Sequence, residues 1–272
     1  MHTKKITIIG AGTMGSTIIA GLIRTGNSTV ENITATVRTE RTAKKIRSQY
    51  GVEVFTDNVK ASQGADIIIL SVKPKNITKV LEGLKNGGIF HQNPLIISIA
   101  AGVSIGSIED VTTQKIPVIR AMPNTPCLIG AGVTAIAPGR GAEPEHMAQA
   151  RIIFESLGTC VEVEEQHMDA VTGLAASGPA YIYLIIEALA DGGVMMGLPR
   201  KVAMDLVTQM VAGSARMVAE TSRHPASLKD DVTTPAGCTI SGILTLEDGK
   251  IRSVLARAVQ IATIRASELG HK

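Results

Sequence analysis

At 272 residues, with 44% hydrophobic and 19% charged side chains, the chain can bury a sizeable core in one large or two modest domains, which excludes a disordered or fibrous protein. Aromatic residues are only 2% and tryptophan is absent, so packing rests on aliphatic side chains and alanine, and recognition of nucleic acid through stacked bases is disfavoured. The net charge of +3 is thinly spread: Lys and Arg stand against Asp and Glu as 17 to 14 over residues 1–165 and 10 to 10 over 166–272, so neither half is a polyanion-binding surface.

Residues 4–10, 33–37, 66–70 and 95–100 are short β-rich runs, apolar enough to be buried on both faces. The 20 to 30 residues between successive runs suffice for a crossover helix, a rhythm that predicts a parallel sheet with helices on both sides. Two more strands are expected at 116–124 and 132–138, and a helix at 150–158. From about Met168 strand signals vanish and three helical stretches follow, roughly 168–196, 199–221 and 238–270, with Pro199, Pro225 and Pro235 at their boundaries. The predicted architecture is α/β: a dinucleotide-binding domain of Rossmann type over residues 1–164, then an all-α domain over 165–272. The apolar stretch Pro179–Ala190 reads as a core helix too short to span a bilayer. With Cys127, Cys160 and Cys238 isolated and a strand pattern at the very N-terminus, a cytoplasmic protein with reduced thiols is expected. The six histidines show no metal-ligand spacing, so no metal site is expected.

Gly10, Gly12 and Gly15 have G-x-G-x-x-G spacing between a predicted strand and a predicted helix. A pyrophosphate-binding turn requires that context: a tight bend, close approach of backbone to phosphate, and close packing of helix on strand. The plainer alternative is a glycine-rich turn with no ligand. Where an acidic residue would bind the ribose hydroxyls of NAD, Arg38 stands instead, followed by Thr39, and a guanidinium there suits the 2′-phosphate of NADP. Ser71-Val72-Lys73 follow the third strand and Ala100 ends the fourth, where ligands of open α/β sheets sit. Near the C-terminus, Thr234-Pro-Ala-Gly-Cys-Thr239 feeds small residues, hydroxyls and bare backbone into a helix start, an arrangement suited to an anion.

The segments GAGTMG, SVKP, ISIAAGV, RAMPNTP, DAVTGLAASGPAYIYLIIEALADGGVMMGLPR and HPASLKDDVTTPAGCTISGILTLE, in this order, resemble the pyrroline-5-carboxylate reductase family over nearly the whole chain. The resemblance implies NADPH-dependent (or NADH-dependent) reduction of 1-pyrroline-5-carboxylate to L-proline, the last step of proline biosynthesis. It implies a cofactor on Gly10, Ala11, Gly12, Thr13, Met14, Gly15, Arg38, Thr39, Asn58, Ser71, Val72, Lys73 and Ala100. The substrate would lie on Thr234, Gly237, Cys238 and Thr239, with Glu165 bordering it. It also implies a helical dimerisation domain whose active sites use both chains, in homodimers that assemble into larger rings such as decamers. No nucleic-acid or membrane partner is expected.

Thr239 is the expected catalytic residue, its hydroxyl orienting the ring nitrogen or helping to deliver a proton; the plainer reading is a helix N-cap. Three departures from the family pattern stand out. Ala236 replaces a glycine and must tolerate that glycine's backbone, Cys238 puts a thiol beside the carboxylate site, and Asp231 stands where some members carry an amide. His224 reads as a loop contact rather than a helix-end residue, and Glu187 as a partnered interface carboxylate. Among the alternatives, a 3-hydroxyacid dehydrogenase relative would need a lysine after the domain junction, and none occurs between Lys115 and Lys201. A non-enzymatic NADP-binding protein would have no use for the Thr234–Thr239 turn.

Overall fold

The computed structural model describes residues 3–112 and 115–270, and the chain forms two compact units, residues 1–176 with 261–272, and residues 177–260. In the first unit, β1 (Ile6–Ile9), β2 (Ile33–Thr36), β3 (Glu53–Phe55), β4 (Ile67–Leu70), β5 (Leu95–Ser98), β6 (Val118–Pro123), β7 (Gly132–Pro138) and β8 (Gly158–Glu162) form one sheet of order β3-β2-β1-β4-β5-β6-β7-β8. Strands β1, β4, β5 and β6 are buried along their whole length, as their apolar runs require. One side chain layer holds Ile8, Ile19, Leu22, Ile69 and Phe154; the other holds Ile68, Leu70, Leu81, Ile96 and Ile108. Helices α1 (Thr13–Arg24), α2 (Glu40–Tyr50), α3 (Asn58–Ala61), α4 (Ile77–Asn86), α5 (Ile105–Thr112) and α6 (Pro144–Glu155) supply these layers. Strand order reverses between β1 and β4, and at such a switch point the carboxyl ends of the strands diverge to leave a crevice.

Several elements differ from expectation. Strand β7 runs antiparallel to β6, because the connection over residues 124–131 is too short for a crossover. Strands β3 and β8 were not anticipated: β3 is three residues long and β8 is an edge strand whose side chains are mostly exposed, so neither carries a continuous apolar run. The helix expected at 150–158 begins earlier, at Pro144, where proline suits the first turn and His146 Nδ1 accepts the Glu143 N–H at 3.0 Å. It ends at Glu155, before the glycine that opens β8.

After α7 (Met168–Val171) and a π-helical turn over Thr172–Ala176, the second unit contains α8 (Gly178–Met195), α9 (Arg200–Thr221), α10 (Pro225–Asp231), α11 (Cys238–Asp248) and the start of α12 (Ile251–Gly270). The expected single helix over 238–270 is broken at Gly249 and Lys250, the latter with φ of 56°. Helices α8 and α9 form a tight hairpin, with a Cβ at Gly193 falling 3.2 Å from Ala203 Cβ. Helix α10 makes His224 a helix-end residue: its Nδ1 accepts the Ala226 N–H at 3.2 Å, so the loop reading is corrected.

The expectation for the Pro179–Ala190 helix is also corrected. The helical stretch Glu165–Met195 has 31 residues, and by length and composition it is apolar enough to cross a membrane. It is not a core helix within one chain: Ile182, Tyr183, Leu184 and Leu189 are exposed. Apart from Glu187 and Asp191, α8 is apolar nearly all round, a pattern that signals burial without saying against what.

Candidate functional site

The three glycines at the start of α1 do three different things. Gly10 adopts φ of 97°, and a Cβ on it would come 2.8 Å from Ser71 O. A Cβ at Gly15 would come 2.4 Å from Gly10 O and 3.2 Å from Ile8 Cγ2, so glycine here lets the helix lie on the strand. Gly12 has nothing within 4 Å of a Cβ. Open space beside the middle glycine is what an approaching pyrophosphate requires. Gly12 caps α1 without a side-chain hydrogen bond, and the first N–H groups of the helix, at Thr13 and Met14, have no intrahelical acceptor. The turn itself is rigid, since Gly10 and Ala11 both donate to Thr36 O, at 3.2 and 2.8 Å.

Around this turn lie two adjoining hollows of about 440 and 420 Å³. The first brings together Gly10, Ala11, Gly12, Arg38, Thr39, Ser71, Val72 and Lys73; the second adds Asn58. Arg38 is exposed on the rim, between the ends of β2 and α2. Thr39 is the N-cap of α2, its hydroxyl accepting the Thr42 N–H at 3.3 Å, and Asn58 opens α3. Ala100 is buried and not among the residues lining either hollow; its N–H donates to Ser98 Oγ at 3.3 Å. Sequence reasoning missed Asn76, which lines both hollows from the start of α4; the proline two residues before it, at the end of SVKP, was the available signal of a helix start pointing at the crevice. The residues fit a dinucleotide: an unencumbered helix N-terminus for the pyrophosphate, a guanidinium at the ribose end, and an apolar floor from Val37 and Val72.

In the second unit, Thr234, Pro235, Ala236 and Gly237 form a turn closed by the Gly237 N–H to Thr234 O bond at 3.0 Å. Proline at the second position and a positive φ at the third are the marks of a type II turn. The third residue is Ala236, with φ of 55°, so the alanine does adopt the backbone that favours glycine. Left-handed backbone costs a residue with a Cβ about 1–2 kcal/mol. Ala236→Gly is therefore expected to stabilise the protein by about 0.5–1 kcal/mol, after allowing for the greater unfolded-state entropy of glycine. A higher urea midpoint at unchanged slope would show it; a lower midpoint would count against the strain.

Gly237 is the N-cap of α11 and offers no side chain; a Cβ on it would strike Thr234 Oγ1 at 2.3 Å. Helix α11 thus starts bare, with the N–H groups of Cys238 and Thr239 unclaimed by the helix. Thr239 lies inside the helix, so the N-cap reading of its hydroxyl does not hold. Cys238 is exposed, whereas Cys127 and Cys160 are buried, and burial pushes the Cys160 thiol up to about 11. Asp231 pairs with Arg223 at 2.7 Å, and that hydrogen bond holds its carboxyl below the usual range. Glu165 belongs to the first unit, where its Oε1 accepts the Ile105 N–H at 2.5 Å and stands 3.5 Å from Arg120 Nη1. Among the described residues no cluster of His, Cys, Asp or Glu could hold a metal ion.

Comparison with known proteins agrees along the whole chain. Residues 165–269 match the family model described as pyrroline-5-carboxylate reductase dimerisation, and residues 5–102 that described as NADP oxidoreductase, coenzyme F420-dependent. A pyrroline-5-carboxylate reductase of Methanosarcina acetivorans is 46% identical over 272 residues, covering all of both chains. The structure of a pyrroline-5-carboxylate reductase from Coxiella burnetii matches with a TM-score of 0.92 at 35% identity, covering 98% of this chain and 99% of that one. The NADP-bound pyrroline carboxylate reductase of Plasmodium falciparum matches with a TM-score of 0.89 at 30% identity, covering 99% of each chain.

Proposed function

Because this chain belongs to the pyrroline-5-carboxylate reductase family, we propose that the Thr234–Thr239 turn holds the carboxylate of 1-pyrroline-5-carboxylate and that the crevice around Gly10–Gly15 holds NADPH. The protein is an NADP-dependent oxidoreductase of proline biosynthesis, reducing that cyclic imine to L-proline. The bound cofactor supplies the hydride; the chain's residues bind and orient. The reaction requires that the substrate at the turn meet the reduced pyridine, so placement of the imine carbon is the main task.

The observation that carries this reading is the bare start of α11. Its first N–H groups lack intrahelical partners, and among the described residues neither Thr234 nor Thr239 spends its hydroxyl on an internal hydrogen bond. Main-chain N–H groups hold a carboxylate without burying a second charged side chain. The Thr239 hydroxyl then lies one residue further on, to orient the ring nitrogen. Glu165, with one oxygen engaged by Ile105 and Arg120, is proposed to border the substrate rather than to exchange protons with it.

Purified protein should consume NADPH only when pyrroline-5-carboxylate is added, and L-proline should appear in equal amount. Protein that is folded yet inert in this assay, but oxidises 3-hydroxyisobutyrate with NADP, would replace this reading with the hydroxyacid dehydrogenase alternative. NADPH is expected to be the better cofactor because of Arg38 on the rim. Arg38→Asp should lower kcat/KM for NADPH by about 10- to 100-fold, the value of a hydrogen bond to a charged group, and spare NADH. Unchanged preference in that variant would remove Arg38 from the 2′-phosphate site.

The helical half carries a dimerisation module, and we propose that its exposed apolar helices meet a second copy of the chain rather than lipid. Glu187 and Asp191 within α8, and the free cysteines, fit a water-soluble cytoplasmic oligomer better than a membrane span. Light scattering should find no active monomer, and would also tell a homodimer from rings such as decamers.

A further inference from the structure

We propose that Arg120 is a positioning residue, holding the β5–α5 connection and residues 165–176 in place beside the cofactor crevice; this rests on the reductase reading above. Arg120 sits in the middle of β6, a strand buried along its length, and is itself only 4% exposed. Its neighbours in register are Ser98 on β5 and Ala137 on β7. From there the guanidinium reaches two carboxylates of one turn of chain: Nη2 lies 3.1 Å from Asp169 Oδ1 and Nη1 lies 3.5 Å from Glu165 Oε1. Among the described residues its Nε has no hydrogen-bond partner. A buried arginine with an unsatisfied nitrogen is a poor way to stabilise a sheet, since an apolar residue would fill the position without desolvating a charge.

What the arginine connects gives the reason. The Glu165 oxygen that faces it also accepts the Ile105 N–H, which ends the connection over residues 99–104. That connection is joined to β4 by the Ile99 N–H to Leu70 O bond at 3.1 Å, and the residue after Leu70 is Ser71, in the wall of the crevice. Four residues beyond Arg120, on the same side of the extended chain, Asn124 Nδ2 donates to Ala175 O at 3.2 Å in the π-helical turn. Asn124 is fixed in turn by the Val133 N–H on its Oδ1 at 3.0 Å. Residues 165–176 are therefore fastened at one end to β6 and at the other to the residue that follows it, and the loop at the carboxyl end of β5 is fastened to them.

Arg120 and Asp169 are themselves assigned no contact with substrate or cofactor, so their loss should disturb alignment more than affinity. In the full-length protein, Arg120→Met is expected to lower kcat by about 10- to 100-fold, the range for a misplacement of about 1 Å. The dissociation constant for NADPH and the KM for pyrroline-5-carboxylate should stay within about threefold, and Arg120→Lys should recover part of the loss. Hydrogen exchange should rise at residues 99–105 and 165–176 in both variants. Should Arg120→Met fail to fold, Asp169→Ala, at a half-exposed position, carries the same test. Wild-type kcat with unchanged exchange in folded Arg120→Lys and Asp169→Ala would overturn the proposal, as would a loss of activity matched by an equal loss of folded protein. Wild-type protein inert toward pyrroline-5-carboxylate, with exchange still raised in the variants, would sink the reductase reading and leave the clasp in place.

Discussion

Gly12→Val is expected to leave the protein folded and to weaken NADPH binding by 100-fold or more. The backbone of Gly12, with φ of −78° and ψ of −157°, is open to any residue, and no atom lies within 4 Å of the new Cβ. The cost therefore falls on the ligand, whose pyrophosphate must occupy the space the methyl groups fill. Losing the charge-assisted bonds of an anion to two helix N–H groups, at ~1.5–3 kcal/mol each, accounts for a factor of this size. Gly15→Val should fail in the opposite way, since its Cβ would lie 2.4 Å from Gly10 O and force the helix off the strand. Thermal melting and NADPH fluorescence titration distinguish the two. A Gly12→Val protein that binds NADPH normally would show that the pyrophosphate does not lie at this turn.

Thr239→Ala is expected to lower kcat by about tenfold or more, with a smaller change in KM, as for other positioned proton-transfer groups. The fold should not suffer, because Thr239 is half-exposed and is not the cap of α11. Thr239→Ser, which keeps the oxygen, should retain most of the rate. Equal rates for the alanine and serine variants would reduce Thr239 to a packing residue. A rise in KM at constant kcat would reassign it to uniform binding of the carboxylate.

What could be read in advance follows the range of the interactions. The glycine turn is local: strand, bend and helix start lie within residues 6–24, and each glycine's role can be stated from spacing alone. The strained alanine was legible through the resemblance, because Ala236 stands where the family pattern has a glycine; proline second by itself also suits a type I turn, whose third residue has a negative φ. Strand β3 was not, for Glu53-Val54-Phe55 is too short to show a period. The break between α11 and α12 did carry a signal, Asp248-Gly249, which the single expected helix passed over; only the left-handed backbone of Lys250 follows from the chain around it. Arg120 was invisible for a different reason. Its partners stand 45 and 49 residues away, and a lone arginine in an apolar run gives no hint of which carboxylates will meet it.

A crystal structure of the protein with NADP and L-proline bound bears most directly on the proposed chemistry. The proline carboxylate should accept hydrogen bonds from the Cys238 and Thr239 amides, with the Thr239 hydroxyl at the ring nitrogen and the pyridine ring facing the adjacent carbon. Clear density for proline elsewhere, with nothing bound at the Thr234–Thr239 bend, would contradict it.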